Sequence, residues 1–284
     1  MRLKLTLQTL HKPAYLPFNY QYPLSAAIYK IIQSADAAFA TFLHDTGYGS
    51  GHKSFKLFTF SDIKTPFIKN GDRMQLQTDS AELIVCFYIP EAAENFIKGL
   101  FLNQQLQIAD FKSKTTFHIN QVESQRELLS DGVMERLSER KSEGLKYLLQ
   151  PLSPLVTGRK NDRGHYDYRS PQDEDFEDCL LHNWIEKAVA TQNADTDTLQ
   201  NLKQKISVTV RLFAHPPQSR LITIKGGTNA ETKIRGYTKF RLEVTAPGEM
   251  IELALGAGLG LYNAQGMGCM EVVPPALKGA YKER

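Results

Sequence analysis

Both halves of the chain repeat one order of predicted elements, which runs strand, helix, strands, helix, strand. In the N-terminal half, alternating leucines at 1–10 predict the first strand, and apolar residues spaced i, i+3, i+4 from Pro23 predict the first helix. Pro90 begins a second helix that ends near Leu102. Only the order recurs, without residue-level similarity. Two tandem βαββαβ units, each a four-stranded antiparallel sheet with helices on one face, are the simplest α+β fold with this order.

This ferredoxin-like architecture includes the RNA recognition motif, although a fold alone does not imply a function. The length of 284 residues agrees with two domains, at about 150 residues per domain. We expect an N-terminal domain at 1–124, a polar and charged connection at 125–143, and a C-terminal domain at 144–284 that carries a glycine-rich loop.

The second half contains the clearest helix signal. Residues 170–173, Ser-Pro-Gln-Asp, have the form of a capping box with proline at the first helical position. An apolar stripe follows at Phe176, Leu180, Trp184 and Ala188. The remaining elements of this half are predicted as strands at 145–157, 206–213, 221–224, 232–244 and 269–273, and a helix at 247–255.

Composition excludes several classes of protein. With 42% hydrophobic and 23% charged residues, the chain is neither disordered nor a coiled coil. The longest apolar stretch, 250–262, is too short to span a bilayer, and the N-terminus lacks the apolar core of a secretory signal. Cys86, Cys179 and Cys269 are too far apart in sequence for a metal knuckle and are expected to be buried. We therefore expect a cytoplasmic protein without a membrane anchor.

Net charge is only +3, but basic residues concentrate in one segment. Residues 161–200 carry three Lys or Arg against ten Asp or Glu, whereas residues 203–241 carry nine Lys or Arg against the single acid Glu231. A segment this basic is a candidate surface for a polyanion. The same pattern is equally typical of a solvated strand face.

Residues 256–268 contain five glycines. This density lets backbone N–H groups approach a phosphate, and it also suits a tight connection packed against the sheet. A nucleotide-binding loop is excluded, because Gly-Lys-Ser/Thr is absent and the glycines follow a helix and precede a strand. The five are Gly256, Gly258, Gly260, Gly266 and Gly268.

The loop sequence, Gly-Ala-Gly-Leu-Gly-Leu-Tyr-Asn-Ala-Gln-Gly-Met-Gly, resembles the C-terminal signature of CRISPR-associated repeat-processing endoribonucleases, which belong to the repeat-associated mysterious protein superfamily. The resemblance covers both ends of the chain, whereas the middle is similar only in the order of its elements. The other similar segments are Lys225-Gly226-Gly227, Ile234-Arg235-Gly236-Tyr237 and Lys239-Phe240 before the last helix, and Tyr29, Leu43-His44-Asp45 and 55–61 near the N-terminus.

The resemblance implies metal-independent cleavage of precursor CRISPR RNA within its repeats, in antiviral defence. The ribose 2′-OH attacks the adjacent phosphate and leaves a 2′,3′-cyclic phosphate and a 5′-OH. This chemistry needs a base, an acid and a cation, and no metal or other cofactor. The resemblance assigns proton transfer to His44, whose side-chain type has a reference pKa of about 6.5. It assigns charge stabilisation to Lys56, and it assigns to Tyr29 either orientation of the 2′-OH or a part in moving its proton.

Each of these residues also has a structural interpretation. Tyr29 adjoins the apolar stripe of the first helix, and any imidazolium is stabilised near a helix C-terminus such as the one before His44. A lysine at position 56 of a strand predicted at 55–60 covers apolar surface with its stem. Lys53 is close enough in sequence to take the role of Lys56.

The implied partners are CRISPR repeat RNA and a CRISPR effector complex, and the sequence leaves monomer and homodimer open. One rival hypothesis is a non-cleaving RNA-binding subunit of the same superfamily. A more distant rival is a small-molecule enzyme on the same sheet architecture. Besides the five glycines, the predicted RNA-binding residues are Lys225, Lys233, Arg235, Lys239 and Arg241.

Overall fold

The N-terminal half is built on a five-stranded antiparallel sheet. The protein is described from a computed structural model, which covers residues 1–49, 53–125, 145–192 and 196–273. Across the sheet the strands are β3 (Phe58–Phe60), β6 (Ser80–Phe87), β1 (Arg2–Thr9), β8 (Lys114–Ser124) and β7 (Gln105–Ala109). Numbered within the unit, the first four strands have the order 2-3-1-4 of a βαββαβ unit. A strand was predicted near 106–111, and as β7 it adds an edge strand to the predicted four-stranded sheet.

Helices cover one face of this sheet and enclose its core. Leu3, Leu5 and Leu7 of β1 are at most 2% exposed, as their alternation predicts. They pack in one cluster with the apolar stripes of the two long helices. The helices are α1 (Gln21–Ala35), α2 (Ala37–Thr41), which continues into a π-helical turn (Phe42–Thr46), and α3 (Pro90–Leu102). A small separate sheet is formed by β2 (Tyr15–Pro17), β5 (Arg73–Leu76) and β4 (Phe67–Asn70).

The C-terminal half repeats the arrangement with a four-stranded antiparallel sheet. Across the sheet the strands are β12 (Ser207–Leu212), β15 (Phe240–Ala246), β9 (Leu145–Pro151) and β16 (Met270–Val272). Their order is again 2-3-1-4, which confirms the predicted tandem ferredoxin-like fold. The helices of this half are α4 (Phe176–Gln192), α5 (Thr196–Lys205) and α6 (Gly248–Ala257).

Two hairpins are inserted into the second unit and were not predicted as separate sheets. One consists of β10 (Gly158–Lys160) and β11 (Tyr166–Tyr168), and the other of β13 (Gln218–Ile224) and β14 (Thr232–Thr238). The prediction of one strand at 232–244 is therefore wrong. The backbone of Lys239 takes a φ of 62°, which ends β14 and directs the chain into β15 of the main sheet.

The capping box at 170–173 does not begin a helix. Ser170 N–H donates to Asp173 Oδ2 at 2.8 Å, and Asp173 N–H donates to Ser170 O at 2.9 Å, which closes one turn. Phe176 N–H then donates to Asp173 O at 3.2 Å and closes a second turn. Helix α4 begins only at Phe176. The predicted stripe behind it is confirmed, because Phe176, Leu180, Trp184 and Ala188 are all at most 1% exposed.

Side chains of the N-terminal sheet contact the segment 267–270 of the C-terminal half. Arg2 Nη1 donates to Met270 O at 2.7 Å, and Thr59 Oγ1 donates to Met267 O at 2.9 Å. Cys86 Sγ lies 4.0 Å from Cys269 Sγ. All three cysteines are buried, as predicted.

None of the helices in the described parts of the chain combines the length and apolar character that spanning a lipid bilayer requires. The domain boundaries at residues 124 and 144 remain a prediction, because the connection between them lies outside the described residues from 126 onward.

Candidate active site and glycine loop

The structure brings Tyr29 and His44 into direct contact. Tyr29 lies half-buried on α1, and the π-helical turn after α2 buries Leu43 while exposing His44. The Tyr29 and His44 rings meet edge to face with centroids 5.2 Å apart. Behind Tyr29, the Phe58 ring of β3 packs at 5.3 Å. The core therefore fixes Tyr29, and Tyr29 in turn supports the imidazole.

Tyr29 and His44 differ in the hydrogen-bonding and proton-transfer roles that they can take. Burial raises the pKa of Tyr29 well above its ordinary value, so its hydroxyl stays neutral and serves as a hydrogen-bonding group. His44 Nδ1 lies 2.7 Å from Asp45 Oδ1. This contact orients the ring and directs Nε2 to the opposite edge, where a proton can be exchanged with a bound ligand.

A short backbone pairing brings Lys56 close to the turn that carries His44. Tyr48 and Phe55 exchange two N–H···O bonds of 2.7 Å, which folds residues 53–56 against residues 47–49. A Cβ added at Gly47 would lie 2.9 Å from Lys56 Cδ and 3.1 Å from Lys56 Nζ. Partial burial lowers the pKa of Lys56, and the nearby Asp45 carboxylate opposes this shift. Lys56 is thus the cation beside the His44 turn.

The predicted strand in this segment is wrong in extent, and Lys53 and Lys56 have different contacts. The predicted strand at 55–60 is ordered as a strand only at Phe58–Phe60, so Lys56 lies on the preceding loop. Lys53 Nζ donates to Glu186 Oε2 of α4 at 2.6 Å, whereas Lys56 lies beside Gly47. Residues 50–52, among them His52, lie outside the described residues.

The glycine loop, residues 256–268, is packed between the two sheets. All five of its glycines are buried. At Gly268, φ is +64° and an added Cβ would lie 1.9 Å from Leu259 O; at Gly266, it would lie 2.3 Å from the Phe60 ring. This close packing supports the interpretation of the glycines as a tight connection against the sheet. The half-buried segment 261–265 is the part of the loop that reaches the surface.

A buried lysine that the sequence analysis did not select holds this loop. Lys187 of α4 is 2% exposed, and its Nζ donates to Gly258 O at 2.8 Å and to Gly260 O at 2.7 Å. It also donates to Asn263 Oδ1. A signal was available, since Lys187 follows Trp184 by three positions on an apolar stripe. A lysine there needs polar partners to offset its burial.

The burial of Lys187 predicts that the free energy of unfolding depends on pH. Burial lowers the pKa of Lys187 to about 7, from an ordinary value of 10.5. Between these values the unfolded state binds more protons than the folded state, so the free energy of unfolding rises with pH across that interval. Relative to Lys187→Met, we expect the wild-type value to rise by up to about 1.4 kcal/mol per pH unit.

Urea unfolding of both proteins at pH 7, 8 and 9 measures this difference. Parallel pH profiles for wild type and Lys187→Met would show that the three oxygen acceptors keep Lys187 charged throughout. That result would contradict the expectation.

Most of the predicted basic residues lie on or at the ends of hairpin β13–β14. Arg235 is exposed and donates to Ser219 Oγ at 2.9 Å, and Lys233 Nζ lies 3.8 Å from Glu231 Oε1. Lys225 and Lys239 are exposed at the two ends of β13–β14. None of the contacts described for the hairpin joins these side chains to His44.

Arg241 differs from the other four predicted basic residues because it is buried. It is 9% exposed, its Nε donates to Gln150 Oε1 at 3.0 Å, and its guanidinium lies 5.2 Å from the centroid of the Phe213 ring. Arg241 lies on β15, which is flanked by β12 and β9 in the four-stranded sheet, and this position explains its burial. Arg241 is therefore not part of the exposed basic surface. Arg220, which was not predicted, joins the hairpin to the N-terminal half through a 2.9 Å contact between its Nη1 and Asp62 Oδ2.

Within the described ranges, no group of three or more His, Cys, Asp or Glu side chains could hold a metal ion.

Comparison with known proteins relates the chain to proteins with the same fold. A curated CRISPR-associated endoribonuclease Cas6 1 of Methanocaldococcus jannaschii is 34% identical over 112 residues, which are 39% of this chain and 41% of that protein. The endoribonuclease Cas6 of Pyrococcus furiosus is 27% identical over 114 residues, 39% of each chain. The matches span about two fifths of the length of these curated relatives. A solved structure described as Cas6-related, from Pyrococcus furiosus, has a TM-score of 0.73 at 16% identity over 97% of this chain and 99% of that chain, which shows the shared fold.

Two family profiles match separate halves of the sequence. Residues 15–123 match "CRISPR-associated protein Cas6, N-terminal", and residues 137–272 match "CRISPR associated protein Cas6, C-terminal". Because the two profiles together account for most of its length, the chain belongs to the Cas6 family of CRISPR-associated proteins.

Proposed function

We propose that this protein is an endoribonuclease that cuts precursor CRISPR RNA within its repeats, using Tyr29, His44 and Lys56. The observation that carries the proposal is the convergence of three residues, distant in sequence, on one exposed turn. The endoribonuclease names of the two curated relatives support the same activity.

The reaction follows from the chemistry of these groups. The ribose 2′-oxygen forms a bond to the adjacent phosphorus as the bond from phosphorus to the 5′-oxygen breaks. His44 Nε2 accepts the proton of the 2′-OH as the phosphorane forms and returns it to the 5′-oxygen as that oxygen leaves, while the neutral Tyr29 hydroxyl orients the 2′-OH. The Lys56 ammonium stabilises the additional negative charge of the phosphorane. The products are a 2′,3′-cyclic phosphate and a 5′-OH, and no metal takes part.

Cleavage of repeat RNA in the presence of EDTA tests this proposal. We expect cleavage to continue in the chelator and to produce a 2′,3′-cyclic phosphate. A single 2′-deoxy substitution at the scissile nucleotide is expected to abolish cleavage while RNA binding persists, because the nucleophile is removed. Loss of activity in EDTA would contradict metal independence. Unmodified RNA that is bound but never cut would favour the non-cleaving RNA-binding subunit.

Lys56 and Lys53 can be separated by paired substitutions. We expect Lys56→Ala to lower kcat by about 10- to 100-fold, less than the loss of a fully buried oxyanion donor, because Lys56 is partly solvated. The reduction in kcat caused by Lys53→Ala should be at least ten times smaller than that caused by Lys56→Ala, because Lys53 Nζ is paired with Glu186. Single-turnover cleavage with saturating protein measures both. The reverse ranking would assign the cationic role to Lys53.

A further inference from the structure

Two adjoining cavities form one groove beside the candidate active site. The inner cavity, of about 340 Å³, lies between Lys56 and the surface segment 261–265 of the glycine loop. The outer cavity, of about 590 Å³, lies between hairpin β10–β11 and helix α4 and includes Arg159, His182 and Lys203. Both cavities are lined by Lys53, Lys160, Tyr166, Asn183 and Leu261. The groove is therefore continuous from Lys56 to Lys203.

Tyr166 lines both cavities and is held as an aromatic platform. Its ring lies nearly parallel to that of Tyr168, at 13° with centroids 6.2 Å apart, and meets Tyr262 edge to face at 6.4 Å. The Tyr168 and Tyr262 hydroxyls are 3.2 Å apart and join the hairpin to the glycine loop. Tyr166 itself is half-exposed. The mechanism proposed above does not use this platform.

The charge of the groove suits a phosphate backbone. Lys160 is exposed, and its Nζ lies 5.7 Å from the centroid of the Tyr166 ring. Two acids, Asp178 and Glu186, line the outer cavity, and Glu186 is already paired with Lys53 and lies 3.2 Å from His182 Nε2. Lys and Arg side chains outnumber these acids, and the six that line the two cavities are Lys53, Lys56, Arg159, Lys160, Lys187 and Lys203.

We propose that this groove binds a single-stranded segment of RNA directly adjoining the scissile phosphate, with one base stacked on Tyr166. The inference rests on the proposed function, because it takes the His44 turn as the point of cleavage. An aromatic ring can stack with an unpaired base, and a basic track beside it follows the backbone, which is how sequence-tolerant single-strand sites are built. The RNA is thereby held on α4 and the hairpin while the N-terminal half cuts it.

Binding of uncleavable repeat RNA, with a 2′-deoxy scissile nucleotide, tests the groove. We expect Tyr166→Ala to weaken binding of the full-length RNA by about 5- to 150-fold, the range of one stacked base. Tyr166→Phe should bind as wild type does, because the ring is retained. Phe101→Ala, at an aromatic residue that is 81% exposed on α3, is the matched control and should have no effect.

RNAs shortened one nucleotide at a time from either end locate the bound segment. The effect of Tyr166→Ala should disappear once the flank on one side of the scissile nucleotide is removed, and should persist when the other is removed. Lys160→Gln should also reduce the slope of log affinity against log salt by about 0.7, the value for one phosphate of a single strand. Lys98→Gln, an exposed lysine of α3, should leave the slope unchanged.

The outcomes separate this inference from the proposed function. An equal effect of Tyr166→Ala on RNAs of all lengths, or no effect on any, would contradict RNA binding in the groove. It would leave the proposed cleavage at His44 unaffected. Absence of cleavage of the unmodified repeat RNA by the wild-type protein would instead overturn the proposed function. A Tyr166→Ala protein that fails to fold would be recognised by its circular dichroism, and Tyr166→Leu, which keeps apolar bulk without a flat ring, would then carry the test with the same expected loss.

Discussion

His44→Ala is expected to slow cleavage of repeat RNA by about 10² to 10⁴-fold, the range for loss of a general acid or base. The imidazole is the group at this site whose ordinary pKa allows it both to accept and to donate a proton near neutral pH. The neighbouring Tyr29 cannot substitute for it, because burial raises the pKa of the Tyr29 hydroxyl and keeps it protonated. Single-turnover cleavage with excess protein measures the effect on the chemical step.

The position of His44 makes this experiment easy to interpret. Its side chain is 68% exposed, so its removal should change the free energy of unfolding by less than about 0.5 kcal/mol. Binding of the 2′-deoxy RNA should also be retained, which separates catalysis from affinity. His11→Ala, at another exposed histidine, is the control. Full cleavage activity in His44→Ala would remove His44 from the mechanism.

Gly268→Ala is expected to destabilise the protein by about 2 to 5 kcal/mol. A positive φ of 64° costs an L-residue about 1 to 2 kcal/mol, and overpacking adds about 1 to 3 kcal/mol. The added Cβ would lie 1.9 Å from Leu259 O, and Leu259 N–H itself donates to Gly268 O at 3.0 Å. The methyl group therefore opens the glycine loop where it closes on itself. Urea unfolding measures the loss.

Gly71→Ala is the matched control for this substitution. Gly71 has a φ of +60°, close to that of Gly268, but an added Cβ there meets nothing within 4 Å. It should therefore show only the cost of the backbone conformation, about 1 to 2 kcal/mol. Equal destabilisation by the two substitutions would show that the close packing at Gly268 does not contribute.

The order of elements was predictable because it depends on local periodicity. The helix at Pro90–Leu102 and the buried stripe of α4 agree with their predictions. The predictions that failed were those in which a turn interrupted a continuous pattern. The apolar alternation at 232–244 continues across Lys239, yet a positive φ at that residue separates a solvent-facing hairpin from a strand of the main sheet.

The residues of the candidate site were predictable to different degrees. Tyr29, His44 and Lys56 were selected through the family resemblance, since their chemistry is visible in sequence and their proximity is not. Lys187 was missed because a lysine in an acidic helix is typical of a solvated face, although its place on the apolar stripe three positions after Trp184 was a signal of burial. Its three acceptors in the glycine loop account for that burial. Tyr166 was missed because its partners, Lys160 and Tyr262, come from separate segments.

The amino-acid sequence by itself determined the two βαββαβ units, because strand and helix periodicities act over a few neighbouring residues. It also determined which side chains could carry acid, base and charge. Only the tertiary structure decided that the five glycines are buried against protein atoms, that Arg241 is buried on its sheet, and that Lys56 lies beside Gly47 while Lys53 pairs with Glu186. These outcomes depend on contacts between segments far apart in the chain, which packing alone establishes.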